Sequence, residues 1–263
     1  IEIFSENLKN EKILNFQNNN DQLFSIIKNY KIIDLLNKSL KNKYCKKLKF
    51  KQKFFKFNKY DLIIVTDYFH FFSKKFFNKK ILKDYYSFAY ISEIKHKKIT
   101  NRTATQIFTK YGPLAFLPVS NTQTSLVFSI NKYKKKIDQD LINLVNQYNF
   151  NYDIKKIEKF NFFKLESLNL RNYYQGNILA FGDLLHKIHP LAGQGFNMTI
   201  RDLRVLTNII VSKIELGLPM DQSICEEFEK KVKAKNMIFS KGIDLVHEFF
   251  KIESKFKSTI LSK

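Results

Sequence analysis

The sequence predicts a mixed fold of the α/β, more narrowly α+β, class, and three observations predict it. Between about Asp84 and Ile130, four short runs (Tyr85–Ile94, Thr105–Thr109, Leu114–Val119, Ser125–Ile130) are separated by turn residues such as Tyr111-Gly112-Pro113 and Ser120-Asn121-Thr122. Short, partly alternating runs of this kind are half-buried strands, and their succession reads as an antiparallel meander. From Asn177 to Val211 an apolar run passes through a glycine loop into a pattern of three- and four-residue steps, which is strand, loop and helix. Tyr60–Thr66, YDLIIVT, is continuous and apolar, as expected of a strand buried on both faces.

The remaining elements follow in order. Ile1–Phe4 is a short strand, and Asn18-Asn19-Asn20-Asp21 is a turn signal. Gln22–Lys41 becomes helical, with Ile26, Tyr30, Ile33, Leu36 and Leu40 on one stripe and Asp21 placed to cap it. Lys46–Lys59 alternates Lys with apolar residues, the pattern of a strand or hairpin whose edge Lys protects. The aromatic run after Tyr68 holds His70, expected as a buried or half-buried side chain rather than a ligand. Ile137–Asn149 is helical, with Ile137, Leu141, Leu144, Val145 and Tyr148 on one stripe, and Asn151–Leu168 returns as a strand. The long helix after the glycine loop ends at Gly217 and Pro219. Ser223–Lys235 and Ile238–Phe250 are expected as two further amphipathic helices.

The glycine loop is the most informative stretch. Ile178–Phe181 leads to Gly182-Asp183, then to His189-Pro190-Leu191-Ala192-Gly193-Gln194-Gly195, then to a helix carrying Met198, Leu203, Leu206, Ile209 and Ile210. A strand, a glycine loop and a helix N-terminus together form an anion-friendly pocket, because unpaired backbone N–H groups and the positive end of the helix dipole converge there. Gly182 permits a sharp turn at the strand end, and Asp183 can accept hydrogen bonds from ligand hydroxyls. Pro190 sets the chain direction, and Gly193 and Gly195 let backbone approach a ligand. Asn197 is placed to cap the helix or to bond to a ligand.

These residues resemble the second FAD-binding motif of the flavin-dependent aromatic hydroxylases, and most nearly that of the ubiquinone-biosynthesis hydroxylases. The family pattern G-D-x-x-H-x-x-x-P-x-x-G-Q-G-x-N, followed by a helix with R-D, is met by Gly182, Asp183, His186, Pro190, Gly193, Gln194, Gly195, Asn197, Arg201 and Asp202. The string ATQIFTKYGPLAFLPVSNTQTSLVFSI is similar to the substrate-domain sheet of the same family, and LFSIIKNYKIIDLLNKSL to one of its helices. The resemblance implies a partial FAD/NAD(P)-binding three-layer domain with an inserted antiparallel-sheet substrate domain. Residues 1–83 would be a remnant of the FAD-binding domain, 84–170 the substrate domain, and 171–263 the Gly-Asp motif with the C-terminal helices. It implies that Asp183 binds the ribityl chain of FAD, that the Leu191, Ala192, Gly193, Gln194, Gly195, Phe196 backbone faces the flavin pyrimidine edge, and that the helix from about Asn197 directs its positive end at the ring. It further implies NAD(P)H as electron donor and hydroxylation of a polyprenylated phenol, with the cofactor carrying the reaction and the protein binding, orienting and excluding water. Asp67 falls where the family has Asp-Gly in contact with FAD, but Tyr68 stands in place of the glycine. A Tyr at positive φ would be strained, so either the turn has changed shape or the site has decayed.

Composition narrows the alternatives. The 263 residues suffice for one large domain or two small ones. No apolar run reaches the roughly 18 residues that span a bilayer, and the first residues are not a signal peptide. The net charge of +22 comes almost wholly from Lys, with Arg only at positions 102, 171, 201 and 204. Bidentate base contacts need Arg, so no nucleic-acid partner is expected, while Lys suffices for attraction to anionic lipid. A cytoplasmic protein, peripheral at the inner face of the membrane or within a ubiquinone-biosynthesis complex, is the expectation. Cys45 and Cys225 stand far apart, as structural thiols in a reducing compartment. His186 and His189 lack companions at ligand spacing, so no metal is expected and His186 is read as supporting the loop.

The G-x-G-x-x-G turn that grips the ADP half of FAD cannot be built from the seven glycines, at 112, 176, 182, 193, 195, 217 and 242. With Ile1 as first residue, the expectation is the central and C-terminal part of a flavoprotein. Two other readings stay open: a hydroxylase of a small soluble phenol, and a degenerate chain that does not hold FAD.

Overall fold

The computed structural model describes residues 1–6, 12–17, 22–49, 56–131, 138–189 and 193–256. The turn at 18–21, the cap at Asp21 and the middle of the Lys46–Lys59 run lie outside these. The chain divides into two compact units, one of Ile1–Phe57, Tyr90–Ser129 and Lys134–Phe162, the other of Asn58–Ala89, Ile130–Tyr133 and Phe163–Lys263.

The first unit is built on the expected meander. β1 (Glu2–Ser5) and β2 (Lys12–Asn15) pair antiparallel. After β3 (Ile63–Val65), which lies in the second unit, come β4 (Lys80–His96), which runs through both units, and then β5 (Thr105–Thr109), β6 (Gly112–Ser120) and β7 (Gln123–Asn131). β5, β6 and β7 are joined by antiparallel pairing, for example Ile107 with Leu114 and Leu114 with Phe128. β1 lies parallel to β5, Glu2 opposite Thr105 and Ser5 opposite Phe108. β8 (Ile154–Ile157) pairs with the far end of β4. Side chains alternate along these strands, so Leu114, Phe116, Leu126 and Phe128 enter the core. α3 (Asp138–Tyr148) adds Leu141 and Val145 to the core, as its periodicity predicts.

α1 differs from expectation. The helix is Asn29–Ser39, not Gln22–Lys41, and none of its residues is buried. Residues 22–28 have no helical structure. The stripe of Tyr30, Ile33, Leu36 and Leu40 exists, but it is exposed.

In the second unit β3 (Ile63–Val65) runs parallel to β11 (Ile178–Ala180), and β10 (Tyr174–Gln175) pairs antiparallel with the other side of β11. β3 is therefore an edge. Ile64 is 47% exposed, so the expectation of a strand buried on both faces is not met here. α2 (Phe71–Phe76) follows, and His70, half-buried, caps it by accepting the Phe72 N–H at 3.2 Å. β9 (Asn161–Leu170) pairs with β12 (His186–Lys187), His186 opposite Asn169. α4 (Gln194–Glu215) and α5 (Ser223–Phe256) pack on each other. α5 is one helix where two were expected, since nothing between Lys235 and Ile238 breaks the backbone and Asn236 is bonded in place. The core holds Leu179, Ala180, Leu184, Leu206, Ile209, Phe228 and Val232.

Candidate cofactor site

Parallel pairing of β3 and β11 sets Ile63 beside Ile178 and Val65 beside Ala180. The Phe181 N–H continues the ladder to the Val65 carbonyl at 2.9 Å. Asp67 and Gly182-Asp183 therefore leave the sheet at the same, carboxyl, edge. That edge is where open α/β sheets bind ligands, because strand ends there give way to loops and helix N-termini.

Gly182 takes φ +64°, which a residue with a Cβ seldom adopts. It opens a single 3-10 turn, Gly182–Leu184, closed by the Leu185 N–H on the Gly182 carbonyl at 2.9 Å. Gly182 and Leu184 are buried, and Asp183 between them is exposed. The turn abuts the start of α4: a Cβ on Gly182 would stand 3.9 Å from Thr199 Cγ2. The Gly-Asp turn and the helix N-terminus are thus adjacent, as the sequence implied.

α4 begins at Gln194, three residues before the expected start, with Gly193 as its N-cap at φ +66°. Asn197 accordingly sits in the first helical turn and does not cap it. Gln194, Gly195, Phe196 and Asn197 form that turn, and the N–H groups of Gly193 to Phe196 have no partner within the helix and carry its positive partial charge. Nothing lies within 4 Å of where a Cβ on Gly193 would stand, so its left-handed backbone is the reason for glycine there and open space faces it. Gly195 would meet only ordinary contact, Ile188 Cγ1 at 3.8 Å. Pro190, Leu191 and Ala192 lie outside the described residues.

Asp67 is exposed, and its Oδ1 accepts the Phe69 N–H at 2.8 Å in a side-chain-closed turn. Tyr68 does not take positive φ. The turn has therefore changed shape where the family pattern has Asp-Gly, and no strain is stored in it.

A buried cluster holds the turn and the helix in register. Asp202, 1% exposed, accepts from His186 Nε2 at 2.9 Å, Asn236 Nδ2 at 2.8 Å, and Arg201 Nε and Nη2 at 3.2 and 3.0 Å. Burial by itself would raise the Asp202 pKa; the hydrogen bonds from His186, Asn236 and Arg201 outweigh it and hold the carboxyl below its ordinary value. His186 supports the loop, as expected, and among the described residues no group of three or more His, Cys, Asp or Glu could hold a metal. Asn236 is the member that sequence reasoning missed. Its signal was a polar residue four positions after the buried Val232, on the inward face of an otherwise amphipathic helix.

An exposed carboxylate at a strand end, beside a helix N-terminus opened by a left-handed glycine, fits the polyol chain and pyrimidine edge of a flavin.

Comparison with known proteins agrees. The family described as FAD binding domain matches residues 89–215. The 3-demethoxyubiquinol 3-hydroxylase of Escherichia coli (strain K12) is 28% identical over 156 residues, 55% of this chain and 39% of that protein. The ubiquinone hydroxylase UbiL of Rhodospirillum rubrum is 26% identical over 175 residues, 62% of this chain and 40% of that protein. The chain thus spans about 40% of the length of these relatives. In fold it is similar to pqsL, a probable FAD-dependent monooxygenase from Pseudomonas aeruginosa, with TM-score 0.58 at 14% identity over 74% of this chain and 57% of that one. By these matches and by its Gly-Asp turn, the chain is similar to the FAD-dependent hydroxylases of the ubiquinone-biosynthesis type.

Proposed function

We propose that this chain is the flavin-ring and substrate-sheet part of an FAD-dependent monooxygenase that hydroxylates the aromatic ring of a polyprenylated phenol in ubiquinone biosynthesis, with NAD(P)H as donor. The observation that carries the reading is the juxtaposition of Asp183 with the N-terminus of α4 at the carboxyl edge of a parallel strand pair. Bound FAD would supply the redox and oxygen chemistry. The residues of this chain bind and orient: Asp183 would accept from the ribityl hydroxyls, and the first turn of α4 would face the electron-rich edge of the ring. Asp67, at the same edge, would complete the carboxylate pair.

Peripheral attachment to an anionic bilayer face through Lys belongs to the same proposal; among the described residues no helix is long and apolar enough to cross a membrane.

The ADP half of the cofactor needs a further α/β segment, and two surfaces of the second unit support one. Among the described residues β3 is an open edge, with the composition of an interior strand. α4 exposes Phe196, Ile200 and Leu203 on one stripe, opposite the buried Met198, Asp202 and Leu206. The FAD-binding part is accordingly assigned to the second unit and the substrate sheet to the first, which takes in residues 1–57 through the pairing of β1 with β5.

The test is a spectrum. The intact protein should purify yellow, and Asp183→Ala should weaken FAD binding roughly tenfold or more, the effect of losing a charge-assisted hydrogen bond. A colourless intact protein with no affinity for added FAD would favour the degenerate, non-catalytic reading.

A further inference from the structure

Among the described residues, Tyr86 on β4 is the one non-glycine residue at positive φ, +54°. Asp84 Oδ1 holds it there by accepting the Tyr86 N–H at 2.8 Å. Such a conformation persists only where the surroundings over-determine it. Its neighbour Tyr85 is buried and reaches two elements at once. The Tyr85 hydroxyl donates to the Asp244 carboxylate on α5. The Tyr85 ring meets the His189 ring edge-on, centroids 4.8 Å apart and planes at 88°. His189 is itself buried and is the last described residue before the glycine loop resumes at Gly193.

Asp244 is one of a series. Asn236, Ser240 and Asp244 stand four residues apart on α5 and so share a face. Asn236 holds Asp202 of α4 at 2.8 Å, Ser240 accepts the Asn169 amide of β9 at 2.9 Å, and Asp244 takes Tyr85 of β4. Lys83 Nζ also lies 3.7 Å from Asp244 and 3.3 Å from Glu248, which keeps the carboxylate oriented toward β4. One polar face of α5 thus ties down three elements, α4, β9 and β4.

We propose that Tyr85 and Asp244 are positioning residues for the first turn of α4: held by Asp244, the Tyr85 ring clamps His189 and with it the adjoining Ile188, whose Cγ1 lies 3.8 Å from where a Cβ on Gly195 would stand. The proposal rests on the flavin reading only for the turn's purpose; the clamp itself is a property of the chain.

Hydrogen exchange tests it without cofactor. The amides of Met198–Asp202 bond to the carbonyls of Gln194–Met198 and report whether the first turn of α4 is held. Tyr85→Phe and Asp244→Leu should each speed their exchange about fivefold or more through local opening. Asp244→Asn keeps an acceptor for the phenol and should restore exchange to within about twofold of wild type. Tyr148→Phe, the same chemical change on α3 in the other unit, should leave these amides unaffected. The clamp is refuted if Tyr85→Phe leaves the exchange unchanged, or if Tyr148→Phe speeds it equally. A parallel FAD titration of wild type separates the two readings: loosened amides in a protein that binds no FAD would uphold the clamp and sink the flavin reading.

Discussion

Removing the Asp202 carboxylate is the sharpest probe of how the site is held. In Asp202→Ala two buried donors, His186 Nε2 and the Asn236 amide, lose the acceptor they reach at 2.9 and 2.8 Å. Arg201 is 38% exposed and can turn to water, so it adds little. Each buried donor left unsatisfied costs about 1–3 kcal/mol. The expected loss is therefore about 3–5 kcal/mol, the range for breaking a buried ion pair from one side. The assay is equilibrium unfolding in urea followed by far-UV circular dichroism, read as a midpoint shift at unchanged slope. His186→Leu combined with Asp202→Leu removes donor and acceptor together and should cost no more than Asp202→Ala alone. The pH dependence has a definite sign. Because the folded carboxyl is held below its ordinary value of 3.8, its contribution is full above that value and is lost as pH falls through the lowered one. The gap between wild type and Asp202→Ala should narrow below about pH 4. A loss under about 1 kcal/mol for Asp202→Ala, or additive costs in the double variant, would refute the reasoning.

Gly193→Ala should destabilise by about 1–2 kcal/mol through backbone strain alone, and Gly193→Asn by less, since open space surrounds the position; thermal unfolding that ranks Ala level with Gly would show that the cap is not left-handed. Leu179→Ala, in the middle of β11 and fully buried, should cost about 2–5 kcal/mol in the same urea assay; a cost below about 1 kcal/mol would contradict its packing. Cys45 is exposed and Cys225 is buried, with burial pushing the Cys225 thiol up to about 12. A thiol-reactive dye should therefore titrate one thiol in the native protein and two in denaturant, and two in the native protein would contradict the burial.

Periodicity served well where the element is local and its partner is close in sequence. The hairpins of β5, β6 and β7 follow from short alternating runs and turn residues, because an antiparallel neighbour needs only a tight turn to find its register. α3 was equally legible, since Leu141 and Val145 recur at the helical step and both are buried. The opposite case is α1. Its stripe of Tyr30, Ile33, Leu36 and Leu40 is as regular, yet exposed, because a pattern states what a helix can bury and not whether a partner is present. The division of α5 into two helices failed for a related reason: Asn236 looks like an interruption in one dimension and is a buried anchor in three.

The sequence by itself determined the Gly-Asp turn and the cap of α4. Gly182 and Gly193 are demanded by a left-handed backbone that no distant residue can relieve, so their spacing alone is informative. Only the tertiary structure decided what surrounds them. Parallel pairing of β3 with β11 carries Asp67 across more than a hundred residues to the Gly-Asp edge, and α5 brings Asn236 to Asp202 and Asp244 to Tyr85. Those contacts depend on packing between elements far apart in the chain, where each residue's type permits many partners and the fold selects one.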